Sequence, residues 1–311
     1  MWSMRRLLLL SHSITQSLNH FVMQPQTSRY LDLVREGRND GWRYALGVFT
    51  ITFFWLVPGY VPYFLLVGAG VETGPLLDFV AINFSIFMML AGLVVTVTLI
   101  HRRPLRSLVT PDARVDWWRA GRGALVWAGV AVAIVGIEHL LFPARYYLSL
   151  DPERFLPFLA AVLVLTPIQC ATEELVFRGY AMQGLGLVTR RPALIAVASS
   201  LIFAVPHLMN PEVGQHGALI MAANYFTIGL LLATVTLRDG RLELAIGLHA
   251  VNNVLLALVA NYEGSALMTE SIFTARDLDP VYSLFTLIAG ALVFHWWIFR
   301  RAPQHPRRPQ E

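Results

Sequence analysis

Residues 155–188 read FLPFLAAVLVLTPIQCATEELVFRGYAMQGLGLV, an apolar run that carries two adjacent carboxylates, Glu173 and Glu174, followed by the guanidinium of Arg178. A charge at the centre of a membrane helix costs about 2.5–3.5 kcal/mol on insertion scales. A chain this apolar does not need such charges for its fold, so they mark where its chemistry is to be sought. The run is also longer than the roughly 20 residues that one crossing requires.

Outward from this stretch the chain has the same character. Of its 311 residues 56% are hydrophobic, and the mean hydropathy is +0.55. This composition excludes an ordinary soluble domain. Eight apolar segments are expected to cross a membrane: Trp42–Val71, Leu76–Ile100, Gly123–Phe142, Phe155–Val188, Ala193–Leu208, Gly217–Leu237, Leu242–Asn261 and Val281–Phe299. Their Gly, Ala and Ser content favours close helix packing. The predicted fold is all-α, a polytopic bundle of about eight transmembrane helices. Residues 1–41 are expected as a cytoplasmic N-terminal tail, 42–300 as the bundle with its catalytic core at about 155–262, and 301–311 as a disordered C-terminal tail.

The basic balance, net charge +4, comes entirely from arginine, since the chain has no lysine. Sorting the arginines by segment places all but Arg145, Arg154 and Arg276 on one side. By the positive-inside rule both termini are then cytoplasmic. The basic character is thus a topology signal, and no nucleic-acid partner is expected. Cys170, the single cysteine, excludes an intramolecular disulfide and a cysteine metal cluster, and reads as a small buried residue. The compact loops and lack of lysine point to a bacterial inner (plasma) membrane.

Few strongly polar groups remain at membrane depth: Glu173, Glu174, Arg178, His207, His249, Asn252 and Asn253. With about 100° per residue on an α-helix, Glu174 and Arg178 share a face and can pair. Glu173 is turned about 140° from Arg178 and is left to face a cavity. His207 follows Pro206, which loosens the local helix, so His207 can also serve as an interfacial cap. His249 and Asn253 share a face; Asn252 points elsewhere. That pair can equally bond between helices for packing.

Glu173 and His207 each lie 17 residues from Arg190, or about 25 Å along a helix, which sets them at one depth across an antiparallel pair. His249, roughly 12 Å into its own helix, joins them if the Arg190 turn protrudes by about 10 Å. The expected result is a polar chamber reached from the cytoplasmic side.

A buried carboxylate can act as general base on water, with a histidine sharing the proton transfer. A second histidine and an asparagine can donate to the oxyanion of a tetrahedral intermediate. That set suffices for amide hydrolysis. No His-Glu-x-x-His metalloprotease motif is present, nor a Gly-x-Gly-Asp segment or a nucleotide loop.

Three short motifs carry a resemblance: Glu173-Glu174-Leu175-Val176-Phe177-Arg178, Phe203-Ala204-Val205-Pro206-His207 and His249-Ala250-Val251-Asn252-Asn253. In this order and spacing the chain resembles the CPBP (Abi) family, the CAAX proteases and bacteriocin-processing enzymes, over about residues 155–262. The resemblance implies a glutamate-dependent intramembrane endopeptidase acting on a peptide or lipidated-protein substrate among membrane lipids, a prenylated CAAX protein or a leader peptide. It implies that Glu173 and His207 activate the water, that His249 and Asn253 hold the oxyanion, and that Glu174 and Arg178 order the motif helix. No cofactor is expected under this reading. Two alternatives stand beside it: a zinc (Zn2+) version with Glu173, His207 and His249 as ligands, and a non-catalytic membrane binding or immunity protein.

Overall fold

The computed structural model describes residues 23–266 and 269–300. The helices run α1 Pro25–Asp32, α2 Gly41–Leu56, α3 Val61–Gly68, α4 Pro75–Val95, α5 Trp117–Leu141, α6 Pro152–Glu174, α7 Met182–Val188, α8 Pro192–His207, α9 Pro211–His216, α10 Ala218–Asp239, α11 Glu243–Leu258 and α12 Pro280–Arg300. Residues 1–22 of the expected N-terminal tail, and the expected tail 301–311, lie outside the described residues.

The protein is all-α, with one small sheet ordered β1-β3-β2 at the end of the bundle away from most arginines. Its strands are β1 Tyr146–Leu148, β2 Ala260–Tyr262 and β3 Phe273–Ala275. Among the described residues, six helices are long and apolar enough to cross a membrane: Gly41–Gly68, Pro75–Ile100, Trp117–Leu141, Pro152–Val188, Ala218–Asp239 and Pro280–Arg300. Two further apolar helices, α8 and α11, have 16 residues each. At 1.5 Å per residue that is about 24 Å, short of a hydrocarbon core of about 30 Å. These two short helices carry His207 and His249.

Large apolar side chains stand exposed around the bundle, among them Leu125, Leu140, Val188 and Leu219. Trp117, Trp118, Trp296 and Trp297 are exposed at the arginine-rich end, as aromatic residues are where a membrane meets water. With the long apolar helices, this is the surface of an integral membrane protein.

The long apolar run Pro152–Val188 is one continuous helical rod, but it is not uniformly α. Directly after Glu174 it widens into a π-helical stretch, Leu175–Ala181, before α7 resumes. Such wide turns are uncommon and recur at functional sites. The hydroxyl of Tyr30 sits between two carbonyls, that of Leu108 at 2.8 Å and that of Arg178 within the wide stretch at 3.2 Å. Tyr30 and Leu31 of α1 are fully buried against Met182, Ile195 and Leu237. Part of the segment expected as a tail is therefore folded onto the arginine-rich end of the bundle.

Helix α6 packs against α4 and α11, α11 against α5, and α10 against α8 and α12. The α5–α11 contact is closest at two glycines. A Cβ on Gly247 would collide with the Ala120 carbonyl, and one on Gly123 with the Leu244 carbonyl. Only glycine lets the two backbones touch there, and this contact brings Trp127 of α5 beside Asn252 of α11.

Candidate active site

The site lies where α6, α8 and α11 face one another. Glu173, Glu174 and Arg178 are all buried, the last two completely. Arg178 Nη1 donates to Glu174 Oε1 at 2.9 Å, the i,i+4 pair expected from the sequence. Its Nη2 donates to the Gly229 carbonyl of α10 at 3.2 Å. Its guanidinium carbon also sits 4.3 Å from the centre of the Phe203 ring. Salt bridge, backbone bond and cation–π contact together offset the cost of a fully dehydrated arginine.

Glu174 has a second partner that helical geometry within α6 does not reveal. His249 Nδ1 lies 2.8 Å from its Oε1. A carboxylate only accepts, so Nδ1 carries the proton and donates. Glu174 therefore ties α6 to α11 and sets which ring nitrogen of His249 faces the site. That nitrogen, Nε2, stands 3.9 Å from Glu173 Oε2 and 3.4 Å from Asn253 Nδ2.

Glu173 points away from Arg178. Its Oε1 accepts from Gln169 Nε2, one turn earlier, at 3.2 Å. Cys170 is fully buried, as expected, and lies near His249. His207 is held differently. Its Nδ1 bonds to the Phe203 carbonyl at 2.8 Å, and since that carbonyl only accepts, Nδ1 is the protonated nitrogen and Nε2 the acceptor. The ring lies between those of Phe203, at 4.5 Å, and Tyr225, at 4.9 Å. His207 is within electrostatic reach of both Glu173 and His249.

The structure thus gathers Glu173, Glu174, Arg178, His207, His249 and Asn253 in one place. Among the described residues no group of three or more His, Cys, Asp or Glu side chains is placed to hold a metal ion. Glu173, His207 and His249, the alternative zinc ligands, do not form such a group.

Several contributors were not singled out from sequence. Gln169 had a visible signal, a polar side chain one turn before Glu173. Tyr225 and Gly229 had none, because α10 meets the site only through tertiary packing. Asn252, expected to point elsewhere, faces Trp127 and Asn253: Trp127 Nε1 donates to Asn252 Oδ1 at 3.0 Å, and Asn252 Nδ2 to Asn253 Oδ1 at 3.1 Å.

Comparison with known proteins adds two findings. Residues 152–255 match the family model described as type II CAAX prenyl endopeptidase Rce1-like. The chain is also 30% identical over 276 residues to the Bacillus subtilis (strain 168) protein named Uncharacterized protein YyaK, across 83% of this chain and 91% of that one. No solved structure matches. The matched stretch contains Glu173, His207, His249 and Asn253 together.

Proposed function

Because this chain belongs to the Rce1-like family of type II CAAX prenyl endopeptidases, we propose that it is an intramembrane endopeptidase in which Glu173 activates water and His249 with Asn253 holds the oxyanion. The observation that carries this reading is the setting of His249 Nε2, 3.9 Å from the Glu173 carboxylate and 3.4 Å from the Asn253 amide nitrogen. A carboxylate, an imidazole nitrogen and an amide NH2 border one small region.

The hydrogen-bond partners support the division of labour. His249 Nδ1–H donates to Glu174, which leaves Nε2 as the ring atom that meets the Asn253 amide NH2. The Asn253 NH2, and His249 Nε2 once it carries a proton, are placed to donate to the oxyanion of a tetrahedral intermediate. Glu173 takes a proton from water as the water oxygen bonds to the scissile carbonyl carbon. When the carbon–nitrogen bond breaks, that proton passes to the leaving amine, with the acceptor nitrogen of His207 sharing the transfer.

Family membership supports a peptide substrate; a membrane-associated chain, either prenylated with a CAAX end or a leader peptide, is the class we propose, and the prenylated peptide is the first to test. The arginine distribution supports cytoplasmic termini, and the Bacillus subtilis relative supports a bacterial plasma membrane. The test uses the full chain in detergent with a farnesylated, internally quenched CAAX peptide, and mass spectrometry to locate the cut. Cleavage within the CAAX end that disappears in Glu173→Gln is the expected result. Cleavage retained in the folded Glu173→Gln protein overturns the assignment of the base.

A further inference from the structure

Asn253 can act as an oxyanion donor only if its amide is turned the right way. An asparagine side chain has an oxygen and an NH2 group of nearly equal size, and either can face a given direction. What decides between them here is a chain of three side chains on α5 and α11. Trp127 is buried, 2% exposed, and an indole nitrogen is a donor only. The atom of Asn252 that meets it at 3.0 Å must therefore be the oxygen. That forces the Asn252 NH2 to the other side, where it lies 3.1 Å from Asn253. The atom of Asn253 that accepts must again be the oxygen. Its own NH2 is left facing His249 Nε2 at 3.4 Å.

We infer that Trp127 and Asn252 are positioning residues for the reaction: the indole N–H, passed through the Asn252 amide, fixes Asn253 with its donor face toward the oxyanion. Neither touches the reacting atoms. The direction of the whole relay is set by the one member that cannot be reversed. Its register depends on the glycine contact of Gly123 and Gly247, without which α5 and α11 could not approach closely enough for Trp127 to reach Asn252. This inference rests on the oxyanion role proposed for Asn253, and the experiment separates the two.

The decisive substitution is Asn252→Asp. Aspartate keeps an acceptor for the indole but has no N–H to offer Asn253. The Asn253 amide then turns its NH2 toward the new carboxylate and its oxygen toward His249. Turnover of the farnesylated CAAX peptide should show kcat reduced as far as in Asn253→Ala, about 10²–10³-fold for loss of one oxyanion donor, with KM little changed. Trp127→Phe keeps a ring in the core and removes the N–H; its kcat should fall by less than in Asn252→Asp, because the Asn252 amide is then freed to turn and is not held reversed. Adding Asn252→Asp to Asn253→Ala should cost no more, because both remove the same donor.

A second readout needs no substrate. In protein labelled with 15N-histidine, Trp127→Phe, which adds no charge, should shift the His249 ring resonances, since the amide facing Nε2 is no longer held in one orientation. The same substitution made in Asn253→Ala should leave them in place. If Asn253→Ala retains full kcat, the oxyanion assignment fails, whatever Trp127 does. If Asn253→Ala is impaired but Asn252→Asp retains full kcat, or if the His249 resonances respond equally with and without Asn253, the relay is overturned and the proposed function stands.

Discussion

Helices α11 and α8 each bring a histidine to the site, and they hold it in opposite ways. On α11, His249 is buried, 4% exposed, bonded to Glu174 through Nδ1 and set against Asn253 through Nε2. Asn253 is in turn held by Asn252 and Trp127. On α8, His207 is half-buried, tied by one nitrogen to its own helix and otherwise stacked between two rings. The contrast follows from the chemistry proposed for each. Donors that stabilise a developing oxyanion work best when already aligned, because reorganising them would consume the gain. A group that takes and returns protons has to meet changing partners, and a stacked ring with one fixed nitrogen keeps the other exposed to them.

The sharpest way to break this comparison is to remove the base. Glu173→Gln keeps shape and the Gln169 contact but cannot take a proton, and kcat should fall by about 10²–10⁴-fold with unchanged elution and circular dichroism. Activity near wild type would show that proton transfer runs elsewhere. Next comes the support of the α11 side. Arg178→Met removes the guanidinium partner of the buried Glu174 carboxylate, leaving it, among the described residues, only His249 Nδ1–H, and should destabilise the protein by about 3–5 kcal/mol, read as a lower denaturation midpoint in detergent. A midpoint shift no larger than that of Arg35→Ala, whose exposed partner is Asp32 and whose loss costs about 1 kcal/mol or less, would contradict the buried pair.

Asn253→Ala tests the aligned donor directly, with kcat down about 10²–10³-fold and KM preserved. An equal loss in KM would instead make Asn253 a ground-state contact. The smallest effect concerns metal. Dialysis against a chelator should leave turnover of the farnesylated peptide unchanged. Loss of turnover restored by added zinc would favour the zinc version with Glu173, His207 and His249.

Much of the site was legible along the chain, for local reasons. The pairing of Glu174 with Arg178 depends only on helical spacing, and Glu173 facing away from Arg178 is its corollary. The convergence of Glu173 and His207 followed from equal distances to one turn. The contact of Glu174 with His249 was not legible, because it joins residues on separate helices whose rotation about their own axes no local pattern specifies. The wide turn at Leu175–Ala181 was hidden too: it reflects a balance between backbone bonding and outside partners such as Tyr30. Cys170 shows the same boundary, being predictable as buried but not as a neighbour of His249.

By itself, then, the sequence determined an all-helical membrane protein and the chemical groups it can bring to bear, since apolarity and helical periodicity are properties of short stretches. Tertiary structure decided how those groups are aimed. The direction of the Asn253 amide is set by a tryptophan on another helix, reached only because Gly123 and Gly247 let two backbones touch. Hydrogen-bond direction depends on which atom meets which across a packed interface, and that is fixed only when the helices come together.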